Sequence, residues 1–181
     1  MEEMKVWMQR ISRAILFMLL LGSSHAAVAA CLTSITASTP TSQFTDHGNG
    51  TVTDNKTGLM WKQCSEGLSG VNCATGTVAV YTWKAALLAV QTLNMGVGFA
   101  GFTDWRVPNI KELDSIVEEQ CRLPAINSVI FPATPVNNWY WSASPYAGLA
   151  THAWFVNFND GLDSAFLKSS SNSVRLVRGG Q

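Results

Sequence analysis

Four cysteines, Cys31, Cys64, Cys73 and Cys121, constrain the fold of this chain more than any other feature, because all of them follow an N-terminal stretch that reads as an export signal. Lys5, Arg10 and Arg13 make a basic start, Ala14 to Leu21 is an uncharged apolar run, and small residues continue to Ala30. This is the layout of a cleavable signal peptide over residues 1–30, and the apolar run is shorter than the roughly 20 residues that span a bilayer as a helix. Export to the periplasm, the cell surface or the medium places the mature chain in an oxidising compartment, where an even number of cysteines pairs as disulfides.

Four cysteines allow three connectivities. Cys64 and Cys73 flank a loop containing Gly and Ser, so a local bridge closes easily, and Cys31–Cys121 would then tie the new N-terminus to the middle of the domain. Val28-Ala29-Ala30-Cys31 also fits a lipobox, the alternative in which Cys31 carries a lipid. Parity favours the disulfide, since lipidating Cys31 strands one of the other three thiols. A zinc site is disfavoured by the lack of CxxC spacing and by a mature chain whose histidines are His47 and His152 alone.

Removing the leader leaves about 150 residues, a common size for one domain and enough to bury a core. Taking Lys5, Arg10, Arg13, Glu2 and Glu3 out of 12 basic and 12 acidic residues leaves nine against ten. That balance gives no bulk attraction to nucleic acid or to a membrane surface, and no transmembrane segment is expected beyond the leader.

Residues 31–43, rich in Ser, Thr and Pro, read as an extended arm ahead of a domain over residues 44–181. From Phe44 to Trp61 short apolar stretches alternate with Asp46-His47-Gly48-Asn49-Gly50 and Asn55-Lys56-Thr57-Gly58, the pattern of a small antiparallel meander. Trp83, Ala86, Leu87, Val90 and Leu93 then recur at helical spacing, with Thr82 as N-cap and Gly96 and Gly98 as stops. Asn109 and Glu112 carry a capping-box signature for a second helix that ends near Cys121. Ile110, Leu113, Ile116 and Val117 would form its buried face, and Lys111, Asp114, Glu118 and Glu119 a solvated one. The rest is strand-like: Trp139 to Ser142, then Ala153 to Phe158 turning at Asn159-Asp160-Gly161 into Ser164 to Lys168. Ser173 to Arg178 closes the chain, with Val174 and Leu176 on one face and Arg175 and Val177 on the other. Strands, two helices and more strands, without βαβ alternation, predict an α+β domain.

Five motifs occur in order from about residue 44 onward. They are Gly50-Thr51-Val52-Thr53-Asp54 with Thr57-Gly58-Leu59-Met60-Trp61, Phe102-Thr103-Asp104-Trp105-Arg106-Val107-Pro108-Asn109-Ile110-Lys111-Glu112-Leu113, Tyr140-Trp141-Ser142-Ala143-Ser144-Pro145-Tyr146, Ala153-Trp154-Phe155-Val156-Asn157-Phe158 with Asp160-Gly161, and Val174-Arg175-Leu176-Val177-Arg178-Gly179. Together they resemble the family named after the C-terminal domain of the Legionella collagen-like adhesin, across nearly the whole mature domain. The resemblance implies a C-type-lectin-like fold, two helices packed on short twisted antiparallel sheets, related to the fold of formylglycine-generating enzymes. It also implies a surface or extracellular setting and, for the namesake, binding to sulfated glycosaminoglycans and trimerisation. This chain departs from the namesake in lacking the Gly-X-Y repeat that enforces collagen trimers, and its charge is near neutral.

These features lead to the expectation of a carbohydrate- or glycosaminoglycan-binding, adhesive module. A structural or protein-interaction domain of the cell envelope is the alternative, and an enzyme on the formylglycine-generating fold a second one. Trp139, Tyr140, Trp141 and Tyr146 suit stacking on sugar rings, although alternation along a strand puts one set in the core. Asn137 and Asn138 stand just ahead as hydroxyl partners. Asn159-Asp160 resembles the Trp-Asn-Asp element of calcium-dependent lectins, and with Asn157 and Asp163 offers hard oxygen ligands to calcium, against the plainer reading of a hairpin turn. Arg175 and Arg178 carry forked donors for a sulfate or carboxylate, with Lys168 nearby, whereas Arg106 reads as an ion pair with Asp104 or Glu112. No nucleophile elbow, His-Glu-x-x-His or phosphate loop is present, and disulfide cysteines leave no reactive thiol, so no catalytic residue is expected.

Overall fold

The structure is a computed structural model in which residues 30–179 are described. The signal-peptide reading falls on residues 1–29, outside the described residues, except for Ala30. Along the chain run β1 (Ala30–Cys31), β2 (Phe44–Asp46), β3 (Thr51–Asp54), β4 (Met60–Lys62), β5 (Leu68–Ser69) and β6 (Thr75–Gly76). Helices α1 (Trp83–Met95) and α2 (Ile110–Asp114) follow, then β7 (Cys121–Arg122), β8 (Trp139–Pro145), β9 (His152–Asn157), β10 (Leu162–Leu167) and β11 (Val177–Arg178). The domain is α+β.

The expected meander forms: β2, β3 and β4 pair antiparallel, with Val52 opposite Trp61. The last strand returns beside it, giving the order β11-β4-β3-β2 with Val177 opposite Trp61. A second antiparallel sheet has the order β10-β9-β8. Its hairpin turns where the sequence placed Asn159-Asp160-Gly161, and Gly161 N donates to Asn157 O at 2.8 Å.

Strand alternation divides the side chains between two apolar clusters. Tyr140 joins Trp61, Leu113, Ile116, Phe131 and Phe158, while its neighbour Trp141 joins Trp105, Phe155, Val174 and Leu176 under Ala86 and Val90 of α1. Burying each such large side chain contributes roughly 2–3 kcal/mol, so these two clusters carry most of the folding drive.

Both helix starts follow their sequence signals. Thr82 Oγ1 accepts from Ala85 N at 3.3 Å, and Asn109 and Glu112 close a complete capping box. The second helix is far shorter than expected and ends at Asp114. Ser115 Oγ donates to Glu112 O at 2.7 Å, and Val117 then bridges to Ile126 as extended chain. Glu118, expected on a solvated face, is only 3% exposed. Its carboxylate accepts from Ser38 and Thr39, which docks the N-terminal arm on the domain.

Both bridges are present. Cys31–Cys121 crosses the β1–β7 pair with Cα atoms 4.0 Å apart, and Cys64–Cys73 closes the loop before α1 with Cα atoms 5.4 Å apart. No cysteine is free among the described residues. None of the described helices is long and apolar enough to cross a membrane.

Candidate functional site

The structure disperses the residues expected to touch ligand. Tyr140, Trp141 and Arg175 have no exposed surface. Tyr140 Oη shares a hydrogen bond of 2.6 Å with Ser65 Oγ, and Trp141 Nε1 donates to Tyr81 O at 2.9 Å, so neither ring is open to a sugar. Trp139 is half-buried, stacked on Phe155 with ring centroids 4.6 Å apart and with Phe166 packed perpendicular to it. Tyr146 packs edge-on against Trp154. These aromatics serve packing first.

The arginines are also committed. Arg175 donates to Gln63 O, to Thr134 Oγ1 at 2.8 Å and to Ser65 Oγ at 3.2 Å, and lies over the Phe131 ring. Burial pulls its pKa down from the ordinary guanidinium value, and Tyr140 opposes that fall. Arg178 forks onto the Asp104 carboxylate at 2.7 and 3.0 Å while covering Phe102. Neither presents a free fork to a sulfate, which corrects that expectation. Arg106 forks onto Glu112 at 2.6 and 2.7 Å, as its position suggested. Lys168 donates to Ala150 O and covers Trp83.

The residues considered for calcium do not fit that ion. Asn157 Oδ1 accepts from Asn159 N at 3.0 Å and Asp160 Oδ1 from Leu162 N at 3.3 Å, so their oxygens close the turn. Asp163 stands on exposed β10, and among the described residues no three His, Cys, Asp or Glu side chains gather as a metal-binding group. Calcium needs six to eight converging oxygens.

A groove with both polar and apolar walls lies elsewhere, beside the Cys64–Cys73 loop. Asp46, Asn49 and Gly50 of the β2–β3 turn line it, with Lys62 and Gln63 at the end of β4, Leu68 to Asn72 of the bridged loop, and Phe99. Its volume is about 510 Å³, inside the usual range for small-molecule sites.

Local structure fixes each wall. Gly50 has φ +85, and a β-carbon there would sit 3.0 Å from Phe99 Cζ, so only glycine lets the turn lie this close to the ring. Gln63 N donates to Gly50 O at 2.9 Å and joins the turn to the end of β4. Asn49 Oδ1 accepts from Thr51 N at 3.1 Å and Thr51 Oγ1 at 2.7 Å, which leaves its Nδ2 without a partner among the described residues. Phe99 exchanges two backbone hydrogen bonds of 3.0 Å with Phe102, and Trp105 Nε1 donates to Phe99 O at 3.0 Å. The backbone is therefore pinned, and the ring itself packs edge-on against Trp105 with centroids 5.8 Å apart.

The groove's charges are unequal. Lys62 Nζ lies 2.6 Å from Glu66 Oε1 and 4.5 Å over the Phe99 ring, so its ammonium is already neutralised. Asp46 accepts from Gly48 N at 2.8 Å and Gln63 Nε2 at 3.4 Å but has no cationic partner among the described residues. Asn72 is exposed, and its side chain has no hydrogen-bond partner among the described residues.

Two further hollows lack this combination. One of about 490 Å³ runs beside α1, and its charged groups, Arg106 and Glu112, are paired with each other. Another of about 540 Å³ follows Leu123 to Asn138 and has no aromatic side chain in its wall. In sequence Asp46 to Gly50 reads as a turn and the cysteine loop as a staple. Only the fold brings them to Phe99, nearly fifty residues from the turn in sequence.

These features define a small α+β domain, stapled by two disulfides, with a groove beside one bridge. Residues 50–178 match the model of the Lcl C-terminal domain, and the chain belongs to that family. A comparison with curated proteins finds no match.

Proposed function

We propose that this chain is an exported carbohydrate-binding module with a C-type-lectin-like fold, and that the groove beside Cys64–Cys73 is its ligand site. The leader and the two bridges support export. The five ordered motifs, with two helices beside small antiparallel sheets, support the fold reading. One observation carries the function: the Asn49 Nδ2, the Gln63 side-chain carbonyl and the Asn72 amide, all without hydrogen-bond partners among the described residues, line one groove with the Asp46 carboxylate and the Phe99 ring. A sugar presents a C–H face for the ring and hydroxyls for the amides.

The test is a glycan array probed with the exported protein and its Phe99→Ala variant. Binding that falls at least about tenfold in the variant is expected, since a stacked aromatic in a binding site contributes on the order of 1–2 kcal/mol. Binding that ignores the substitution places the site elsewhere, and silence across the array removes the reading.

A protein-docking role is the second reading, favoured by the rim. Val71 and Val129 line the groove and are 84% and 71% exposed, apolar surface that a glycan does not require. Adhesion to a protein through this end would leave the array silent while Val71→Asp and Val129→Asp still weakened attachment of the protein to its target surface.

A further inference from the structure

We infer that the groove selects uncharged saccharides and rejects sulfated or carboxylated ones. This rests on the groove being the glycan site and adds the charge class of its ligand. Among the described residues that line the groove Lys62 is the one cation, and Glu66 holds it at 2.6 Å with both side chains largely shielded, 11% and 19% exposed. An anionic ligand would have to displace Glu66 from that contact. The free charge is of the opposite sign: Asp46 is exposed, unpaired by any described cation, and lies on the same groove. The remaining polar groups, the amides of Asn49, Gln63 and Asn72, are neutral donors and acceptors that suit hydroxyls.

Among the described residues, no arginine lines this wall. Arg175 ends on Gln63 O but is wholly buried, while Arg106 and Arg178 are forked onto Glu112 and Asp104. A groove with net negative charge and paired lysine repels sulfate within a Debye length, roughly 8–10 Å at ordinary salt. This runs against the sulfated ligands that the namesake of the family suggests.

The experiment titrates the exported protein with neutral oligosaccharides and with sulfated ones at about 50 and 500 mM salt. Wild type, Phe99→Ala and the double variant Asp46→Asn with Glu66→Gln are compared, and thermal melts confirm that each is folded. The inference expects neutral ligands to bind wild type with less than about a twofold change across salt, and to lose at least about tenfold affinity in Phe99→Ala. The double variant, which raises groove charge by two and frees Lys62, should gain sulfated-ligand affinity at low salt by about tenfold or more and lose it at high salt. Sulfated ligands binding wild type through Phe99, with strong salt dependence, would overturn the charge rule and leave the groove reading intact. Neither class binding any of the three proteins would overturn the groove reading itself, and the charge rule with it.

Discussion

Glu118 Oε2 accepts two hydrogen bonds from Thr39, from its backbone N at 2.8 Å and its Oγ1 at 2.9 Å, across 79 residues of sequence. Ser38 N, Ser38 Oγ and Gln120 N occupy Oε1 at 2.9, 3.1 and 3.0 Å. With no cation beside it among the described residues, this buried carboxylate is satisfied by neutral donors alone, and it helps hold the arm that the Cys31–Cys121 bridge also fastens. Glu118→Ala should cost on the order of 3 kcal/mol in urea unfolding, because it leaves several buried donors unpaired. Hydrogen exchange over residues 32–40 should speed up at the same time. A loss below about 0.5 kcal/mol would mean that the arm is not anchored there.

Acid should weaken the fold through the same carboxylate. Burial works to raise the Glu118 pKa, but its hydrogen bonds from Ser38, Thr39 and Gln120 outweigh burial and hold it below the ordinary value. Glu112 behaves alike, with Arg106 and Asn109 N overcoming burial. A carboxylate with a depressed folded pKa contributes stability that is fully present above the unfolded value, about 4.3, and is lost as pH falls through the folded one. Asp114 has the opposite sign: burial and the neighbouring Asp163 raise its pKa, so its charge is a cost at neutral pH that protonation relieves. Denaturation series from pH 7 to pH 2 should show stability falling below about pH 4.5, and Glu118→Gln should flatten that fall. Asp114→Asn should raise the melting temperature at pH 7; a lowered one would contradict this account.

Arg175 ties the last segment of the chain to the β4 end by donating to Lys62 O, Gln63 O, Ser65 Oγ and Thr134 Oγ1, with no carboxylate among its partners. Removing it strands those acceptors and opens a cavity between Phe131 and Tyr140. Arg175→Ala should cost about 3–5 kcal/mol or prevent folding. Arg175→Lys should rescue little, since an ammonium cannot reproduce the planar fork. Tyr140→Phe, which loses the Ser65 contact and the hydroxyl's interaction with Arg175, should cost about 1–2 kcal/mol. Equal stability for wild type and the lysine variant by calorimetry would show that charge alone suffices.

Much of this was legible in the residues, and the failures share a cause. The α1 stripe, both N-caps, the meander and the β9–β10 hairpin follow from periods of 3.6 and 2 and from turn chemistry, all local information. Glu118 and Arg175 read differently in sequence because most of their partners lie 41 to 113 residues away, and a charged side chain looks solvated until such partners arrive. The groove was hidden for a similar reason. Gly50 and Phe99 come to line one groove only after β4 and the bridged loop are in place, and no spacing rule links them.

The two disulfides should therefore separate stability from binding. Cys31–Cys121 spans 90 residues and Cys64–Cys73 spans nine, so chain entropy alone assigns them roughly 4–5 and 3 kcal/mol. Their positions differ more than their energies. Cys31–Cys121 fastens the arm, which Glu118 also holds, and neither of its cysteines lines the groove. Cys64–Cys73 fastens the wall from Leu68 to Asn72, whose other support is the pairing of two-residue strands β5 and β6. Replacing Cys31 and Cys121 by serine should lower the melting temperature most while leaving saccharide affinity within about twofold. Replacing Cys64 and Cys73 should lower it less yet weaken binding at least about tenfold, because a wall that must be ordered on binding adds its entropy to the cost. Melting curves and titrations of the two double variants decide it, and the reverse pattern, with affinity lost only when Cys31 and Cys121 are replaced, would move the ligand away from the bridged loop.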